Sequence, residues 1–322
     1  MNYVFGPVPS QRLGKSLGID TIPLKTCNWN CIYCQLGRTH PLTNERMEYI
    51  PCRDIIIELE HALRVHHPGE IDWITFVGSG EPTLHNGLGW LIRQVKRLTE
   101  FPVAVITNGS LLYRSEVRTE LSAADAVLPS LDAGTLDLYR KINRPWPKLT
   151  FQRLVDGLGL FRREYTGKLW VEVMLIKDVN DTETALKEIS SIMDSIRPDE
   201  VHLSLPTRPP AESWVQPAQE DGLQRARAIL GQLARVLVPP QAKSDFIETE
   251  DLEGTLMGII TRHPMPEADL MAGLPAWQPE QVKAALTRLE ARGRTQRVKR
   301  FGTWFWSAAK AFYAKDGLPV SR

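Results

Sequence analysis

Three cysteines, Cys27, Cys31 and Cys34, lie close together near the N-terminus. The spacing Cys-x3-Cys-x2-Cys offers three thiolates, and thiolate sulfur prefers zinc, copper(I) or iron–sulfur clusters. A closed structural zinc site takes four protein ligands, and an ordinary four-iron cluster takes four cysteines. Three cysteines leave one coordination position open, which indicates chemistry rather than a structural role.

Zinc is the alternative interpretation of the same cysteines. His40 or Cys52 could supply the fourth ligand, although zinc sites usually show paired ligand doublets. Four cysteines in a chain of 322 residues do not form a disulfide framework. Because three of them are clustered, a reducing cytoplasm and metal binding are favoured.

The second predicted strand ends in Gly78, Ser79, Gly80 and Glu81. Glycines at a strand end let the backbone approach a ligand closely. Glu81 places a hydrogen-bond acceptor at the same edge of the sheet as the cysteines, and a carboxylate suits a ligand ammonium group. An ordinary turn is the alternative, but the neighbouring cysteine loop favours a ligand site.

Small polar residues occupy three further strands. They are Thr107, Asn108, Ser130, Asp132, His202 and Ser204. Asn108 could form only a turn with the glycine that follows it, and Asp132 could only cap the next helix. His202 within a strand is more often a core histidine than a ligand. The convergence of polar groups at successive strand ends nevertheless predicts a binding site.

The order of elements predicts where these residues meet. The predicted strands are Ser16–Leu24, Ile71–Gly78, Val103–Asn108, Ala126–Asp132, Leu169–Ile176 and Glu200–Pro206. The predicted helices between and after them are Asp54–His66, Leu88–Glu100, Arg114–Ala123, Phe151–Tyr165, Asp181–Ile196 and Asp221–Leu237. Six strand–helix units predict a parallel sheet, because parallel strands need helical crossovers. Functional groups then belong at the C-terminal ends of the strands.

A Pro-containing join, Val238-Pro239-Pro240-Gln241, ends this rhythm. Three predicted helices and a hairpin follow, a pattern typical of a winged helix-turn-helix. The helices are Asp251–His263, Glu267–Leu274 and Glu280–Arg292, and the hairpin strands are Thr295–Arg300 and Thr303–Trp306. We therefore predict a core domain over residues 1–240 and a winged-helix-like domain over residues 241–322.

The region from Lys283 to Arg300 contains seven basic residues and one acid, Glu290. Basic residues on a recognition helix and wing fit phosphate contacts. Protein docking and a purely structural role are the alternatives. The C-terminal domain is therefore predicted to contact nucleic acid or a protein substrate.

Composition sets broad limits on function. The chain is 43% hydrophobic and 24% charged, with a formal net charge of +1. This composition is typical of a globular protein and gives no global electrostatic reason to bind a membrane or nucleic acid. It has no apolar run of about 18 residues, and its start lacks the pattern of a signal peptide. A cytoplasmic location without a membrane partner is expected.

The combination of motifs resembles the radical S-adenosylmethionine (radical SAM) family. The resemblance rests on Cys27-x3-Cys31-x2-Cys34 with Tyr33 before the third cysteine, on Ser79-Gly80-Glu81-Pro82, and on the six βα units. It implies an α/β fold, a partial (β/α)6 barrel. It also implies that the three cysteines bind one 4Fe–4S cluster, whose open iron takes the amino and carboxylate groups of S-adenosylmethionine (SAM).

The same resemblance implies the SAM contacts. Tyr33 is expected beside the adenine, and Gly80 and Glu81 at the methionine ammonium. The candidates for the ribose and the methionine carboxylate are Thr107, Asn108, Ser130 and Asp132.

The reaction implied by the family begins with reductive cleavage of SAM. A flavodoxin- or ferredoxin-like protein is the expected electron donor. The resulting 5′-deoxyadenosyl radical abstracts hydrogen from a substrate, which the sequence does not identify. Lys177 is the first candidate for substrate contact, with Asn180 and Arg208 behind it.

A finer resemblance, over about the first 210 residues, is to the branch of wyosine tRNA-base synthases and related "Fe–S oxidoreductases". It includes Phe5-Gly6-Pro7-Val8-Pro9-Ser10 and Asn143-Arg144-Pro145. Wyosine synthases have extra cysteines for a second cluster, whereas only Cys52 is spare here. The substrate class is therefore left at tRNA or protein. A transcription regulator that binds a cluster and SAM is the alternative function.

Overall fold

The computed structural model describes residues 3–67, 69–237 and 251–314, and within these ranges it has ten β-strands and ten α-helices. The strands are β1 (Val4–Ser10), β2 (Gly14–Ile19), β3 (Trp73–Phe76), β4 (Val103–Thr107), β5 (Ala126–Pro129), β6 (Lys168–Met174), β7 (Glu200–Ser204), β8 (Ala234–Val236), β9 (Thr295–Arg300) and β10 (Thr303–Ala308). The helices are α1 (Cys52–Val65), α2 (Leu88–Leu98), α3 (Ser115–Leu121), α4 (Leu136–Ile142), α5 (Phe151–Glu164), α6 (Glu183–Ile196), α7 (Glu220–Leu230), α8 (Leu252–Arg262), α9 (Glu267–Gly273) and α10 (Pro279–Ala291).

Strands β1 to β8 form one sheet in sequence order. β1 and β2 pair as an antiparallel hairpin, and every later neighbour pair from β2 to β8 is parallel. Each parallel step after β2 returns through a helix, as parallel connections require. The predicted α/β fold with a partial barrel is confirmed.

All six predicted strands correspond to strands β2 to β7. Two edge strands, β1 and β8, and the short helix α4 were not predicted. The predicted helix Asp221–Leu237 is wrong at its C-terminal end. Helix α7 ends at Leu230, because Gly231 takes a left-handed φ of 71°, a common way to end a helix. The chain then pairs with β7 as β8.

The sheet is buried on both faces, which explains its apolar strands. Alternate residues of β6 show the two faces. Leu169, Val171 and Val173 pack in the main core against the helices. Trp170 belongs to a small apolar cluster, and Glu172, further along the same inner face, lines a cavity. The inner face is therefore apolar near the start of the strand and polar towards its C-terminal end.

Helices α8 to α10 and the β9–β10 hairpin form a C-terminal unit with its own apolar core, which includes Leu256, Ile260, Leu286 and Trp306. The predicted order of three helices and a hairpin is therefore present. The winged-helix assignment stays a prediction. The predicted boundary between residues 240 and 241, and the join Val238–Gln241, lie outside the described residues. Among the described residues, no helix is long and apolar enough to cross a membrane.

Candidate functional site

A cavity of about 460 Å³ lies at the C-terminal ends of the parallel strands. The cysteine loop and most of the predicted ligand contacts line this cavity. The predicted residues in the wall are Cys27, Cys31, Cys34, Tyr33, Gly80, Glu81, Thr107, Asn108 and Ser130. Residues that the sequence places more than 100 positions apart therefore meet at one site, as expected for strand ends in a parallel sheet.

Backbone hydrogen bonds hold the cysteine loop against the end of β3. The N–H of Lys25 donates to the carbonyl of Ser79 at 2.6 Å, and the N–H of Glu81 donates to the carbonyl of Thr26 at 3.0 Å. A β-carbon on Gly80 would overlap the carbonyl oxygen of Thr26. Glycine is therefore required here because two backbone segments touch, which brings Cys27 beside Glu81.

The three thiols lie among hydrogen-bond donors. The Asn108 and Asn143 amides lie 3.8 Å from the sulfurs of Cys27 and Cys31, and the Lys25 ammonium lies 3.2 Å from that of Cys34. Burial raises the pKa of Cys27 to about 12 and that of Cys31 well above its ordinary value, and the neighbouring acidic groups add to both shifts. Buried thiolates here need a bound cation to offset their charge, and N–H donors to sulfur are what cluster sites provide.

The Glu81 carboxylate is buried and held by its own chain. Oε1 accepts hydrogen bonds from the N–H and hydroxyl of Thr83 and from the hydroxyl of Thr107. Oε2 accepts one, from the N–H of Asn108 at 2.7 Å. Burial raises the pKa of Glu81 and these donors oppose the rise. Each carboxylate oxygen has two lone pairs, so Oε2 keeps acceptor capacity for a ligand ammonium.

Asp132 differs from the other predicted contacts because it is not in the cavity wall. Its Oδ2 accepts from the Tyr33 hydroxyl at 2.6 Å and from the Asn143 amide at 2.7 Å. Its Oδ1 accepts from the N–H of Met174 at 2.9 Å. Burial raises the pKa of Asp132, and these donors oppose the rise. The carboxylate therefore fixes the ring of Tyr33, which does line the cavity.

Another part of the cavity wall carries half-buried charges that the sequence analysis missed. Arg12, in the β1–β2 turn, pairs with Glu172 on β6 and donates to the hydroxyl of Ser204 at 3.1 Å. Burial raises the pKa of Glu172, and Arg12 opposes the rise. One signal was available: Glu172 is a lone charge inside the apolar strand LWVEVM.

Arg208 and His263 complete this part of the wall. Nη1 of Arg208 donates to the side-chain oxygen of Gln35 at 3.1 Å. His263 follows helix α8, and burial together with the guanidinium groups of Arg208 and Arg262 lowers its pKa to about 3. The imidazole is therefore neutral at physiological pH. We call Arg12, Glu172, Arg208 and His263 the charged side of the cavity, and the cysteine loop with the ends of β3 to β5 the cysteine side.

The C-terminal unit touches the cavity directly. Arg262 forms a buried ion pair with Asp20 at 2.9 Å, and its carbonyl accepts from the Gln35 amide at 2.8 Å. The segment after β10 lies along the cysteine loop, where the carbonyl of Phe312 accepts from the N–H of Arg38 at 2.6 Å. Because His263 and Met265 also line the cavity, the C-terminal unit supplies part of the wall.

Several sequence candidates lie elsewhere. His40 lines a different cavity, and Cys52 begins helix α1, where its N–H donates to Glu48. Burial raises the pKa of Cys52 to about 12. Within the described ranges, no three His, Cys, Asp or Glu side chains are grouped so as to hold a single metal ion.

Lys177, Asn180 and His202 also lie outside the cavity wall, whereas Ser204 lines it. The N–H of Lys177 donates to the carbonyl of Gln216. The Asn180 side chain binds the backbone of Asp132 and Met174. His202 pairs with Glu200 at 2.9 Å and stacks near Trp170, which fits the core role considered for it. Arg208 alone of the three substrate candidates lines the cavity.

A comparison with protein families identifies the class of protein that has this fold and this cavity. The chain belongs to the radical SAM superfamily, whose family model matches residues 21–188. That membership implies a 4Fe–4S cluster and SAM as cofactors, and it supports an enzymatic role.

Two relatives are similar to most of this chain. A UPF0026 protein of Methanocaldococcus jannaschii is 36% identical over 273 residues, which is 83% of this chain and 84% of that protein. A protein of Brachyspira hyodysenteriae named GTPase Obg is 46% identical over 224 residues. That match covers 70% of this chain but only 33% of the relative, so this chain spans about a third of its length.

One of two similar solved structures supports the fold. A radical SAM methyltransferase from Sphaerobacter thermophilus is similar over 69% of this chain and 65% of its own, with a TM-score of 0.51 and 18% identity. A structure of TYW1 with a lysine-pyruvate adduct bound matches over 66% of this chain and 72% of its own, with a TM-score of 0.49 and 20% identity.

Proposed function

We propose that the protein is a radical SAM enzyme in which Cys27, Cys31 and Cys34 hold one 4Fe–4S cluster. The observation that carries the proposal is the shared wall, because three thiols, Glu81 and Asn108 line one cavity. The amide and ammonium donors around the sulfurs suit a cluster held by thiolates. Neither candidate for a fourth zinc ligand lines this cavity, which favours a cluster with one open iron.

SAM is proposed to bind on the cysteine side. Gly80 and Glu81 would take the methionine ammonium, with Oε2 of Glu81 as the acceptor. Tyr33 would lie beside the adenine. The proposed contacts for the ribose and the methionine carboxylate are Thr107, Asn108 and Ser130, with Asp132 acting through Tyr33. When bound, the reduced cluster supplies one electron that cleaves SAM to methionine and a 5′-deoxyadenosyl radical, which abstracts hydrogen from the substrate.

The residues of the chain orient the cofactor and exclude water. The Glu81 carboxylate is fixed by four donors, so it reaches its ligand without rearrangement. The Tyr33 ring is fixed by Asp132. His263 and Met265 extend the cavity wall from the C-terminal unit, and this wall would limit stray hydrogen donors near a reactive carbon. A flavodoxin- or ferredoxin-like protein is proposed as the electron donor, and the cytoplasm as the location.

A nucleic acid is the partner that the surface of the protein favours. A second cavity of about 790 Å³ lies between the cysteine loop and the C-terminal unit. Among the described residues no carboxylate lines it, although Arg38 and Arg144 pair with the buried Glu212. Phe312 at its edge is 61% exposed. The cations that line the cavity are Lys25, Arg38, Arg144, Arg294 and Lys310. Cations beside an exposed aromatic ring suit a phosphodiester strand with stacked bases.

The test of the partner uses a fluorescently labelled single-stranded RNA and measures anisotropy at several salt concentrations. Arg294→Glu and Lys310→Glu should weaken binding and flatten its salt dependence, by about 0.7 in slope for each lost phosphate contact. The exposed Arg163→Glu on helix α5 is the control. Binding of an acidic peptide without RNA binding would favour a protein partner instead.

The test of the reaction is anaerobic reconstitution with iron and sulfide, reduction, and an assay for 5′-deoxyadenosine released from SAM. The wild-type protein should release it, and Cys31→Ala should not. A fully reconstituted protein that releases no 5′-deoxyadenosine, even with cell extract as a source of substrate, would contradict the proposal that the protein is an enzyme. Specific DNA binding by that inactive protein would favour the regulator.

A further inference from the structure

We propose that Arg208 forms a subsite for an anionic group of the substrate, a carboxylate or a phosphate, on the charged side of the cavity. This inference rests on the proposed function for the location of SAM. It depends on three observations: the surroundings of the guanidinium, its neighbours in the wall, and its distance around the sheet from the proposed SAM contacts.

The Arg208 side chain is half-buried in the cavity wall, and its guanidinium has no paired anion among the described residues. Its hydrogen-bond partner is the neutral Gln35 amide. In the described part of the chain, no carboxylate lies within ion-pair distance of it, and Asp269 acts on it only from further away. Burial lowers the pKa of Arg208, with Arg12 adding to the effect. A half-buried cation without a counter-ion lacks compensation, so an anion that binds here gains charge-assisted hydrogen bonds.

The neighbours of Arg208 leave this charge in place. Arg12 is already paired with Glu172, so that carboxylate is not free to serve Arg208. His263 is neutral and adds no second charge. Nδ1 of His263 is buried without a hydrogen-bond partner in the described residues. Arg208 and His263 therefore both have polar atoms that could bind a ligand.

The position of Arg208 assigns the anion to the substrate. The proposed SAM contacts follow β3, β4 and β5, whereas Arg208 follows β7, two strands further round the sheet. Both sets line the same cavity. SAM on the cysteine side therefore leaves Arg208 facing the remaining space, where the substrate must sit to meet the radical. A planar guanidinium binds carboxylate and phosphate oxygens in pairs, which also orients the substrate.

The experiment measures binding of methyl phosphate and acetate to the full-length reconstituted protein by calorimetry, with chloride holding the ionic strength constant. At least one of the two probes should bind. Arg208→Gln should weaken that binding by about tenfold, as expected for a hydrogen bond to a charged group. Arg208→Lys keeps the positive charge but loses the planar guanidinium that can donate two parallel hydrogen bonds, so it should weaken the binding less.

The matched control is Arg163→Gln, the same change on the exposed face of helix α5, which should leave the affinity unchanged. Absence of binding to the wild-type protein, or equal affinity in Arg208→Gln with an unchanged circular dichroism spectrum, would overturn the subsite. Both outcomes are independent of whether 5′-deoxyadenosine is released, so they separate this inference from the proposed function.

Saturation with SAM distinguishes the two possible sources of the anion. If the substrate supplies it, the probe binds equally well to the SAM-loaded protein, and Arg208→Gln keeps its affinity for SAM. If SAM displaces the probe and Arg208→Gln loses affinity for SAM, the methionine carboxylate is the anion and the assignment to the substrate is wrong.

Discussion

The two sides of the cavity satisfy their polar groups in different ways. On the cysteine side, Glu81 accepts four hydrogen bonds from neighbouring residues, and Asp132 accepts three. On the charged side, Arg208 has a neutral partner and Nδ1 of His263 has none in the described residues. Glu81 and Asp132 are buried, whereas the residues of the charged side are half-buried and face the cavity.

This difference indicates which side of the cavity already has its polar groups oriented in the free protein. A site whose groups are already oriented binds a fixed cofactor without rearrangement. A side with half-buried, incompletely paired groups gains hydrogen bonds when a ligand supplies the missing partners. The cysteine side therefore suits the cofactor, which is the same in every turnover. The charged side suits the substrate.

The largest expected effect tests the cysteine side. Cys31→Ala should abolish the brown chromophore of the anaerobically reconstituted protein, because two remaining thiolates do not hold a cluster. Visible absorption spectra measure it. Cys52→Ala is the matched control and should keep the chromophore, since Cys52 lies outside the cavity wall. A chromophore unchanged in Cys31→Ala would contradict the cluster assignment.

The next effect tests how the C-terminal unit is fixed over the charged side. Arg262→Gln breaks a buried ion pair and leaves Asp20 with hydrogen bonds from Ser79 and Ile22 but without this counter-ion. The change should lower the free energy of unfolding by roughly 3–5 kcal/mol. Urea denaturation measures it. The double variant with Asp20→Asn should recover part of the loss. Equal stability of Arg262→Gln and wild type would show that the pair does not hold the unit in place.

Gly80→Ala tests the backbone contact that positions the cysteine loop. The added β-carbon overlaps the Thr26 carbonyl, so we expect a loss of about 1–3 kcal/mol in the free energy of unfolding and weaker binding of SAM. Gly159→Ala on helix α5 is the control, because the nearest atom to its added β-carbon lies 3.7 Å away. That change should stabilise the helix by roughly 0.5–1 kcal/mol.

His263 gives the charged side a pH dependence. Its pKa is lowered from 6.5 to about 3 in the folded protein, so the unfolded chain takes up a proton first as the pH falls. Stability due to this group is complete above pH 6.5 and is lost progressively towards pH 3. At pH 5 the loss is about 2 kcal/mol.

Denaturation in urea at pH 8 and pH 5 measures this loss. His263→Gln should lack that component of the pH dependence, whereas the exposed His61→Gln should retain it. The same pH dependence in wild type and His263→Gln would contradict the buried, neutral histidine.

The cysteine side was largely predictable from the sequence, because its residues form short local motifs. Cys27, Cys31 and Cys34 are near one another in the chain, and Gly80 and Glu81 directly follow a strand. The role of Asp132 was not predictable, since an aspartate at a strand end is equally suited to bind a ligand or to orient Tyr33. Its three internal partners come from separate elements.

The charged side was mostly not predictable, because its pairs join distant positions. Arg12 and Glu172 belong to the first hairpin and to β6, and neither has a motif around it. The edge strands were missed for local reasons. β1 contains Pro7 and Pro9, which remove ladder donors, and β8 has three residues that continue an apolar helical pattern.

The hydrogen bond from the Tyr313 hydroxyl to the carbonyl of Gln35 joins residues 278 positions apart. Its consequence concerns timing. Ribosomes make the chain from its N-terminus, so the cysteine loop exists long before the segment that packs on it. The segment around Phe312 and Tyr313 therefore reaches the flank of the cysteine loop only late, well after the loop itself has been made.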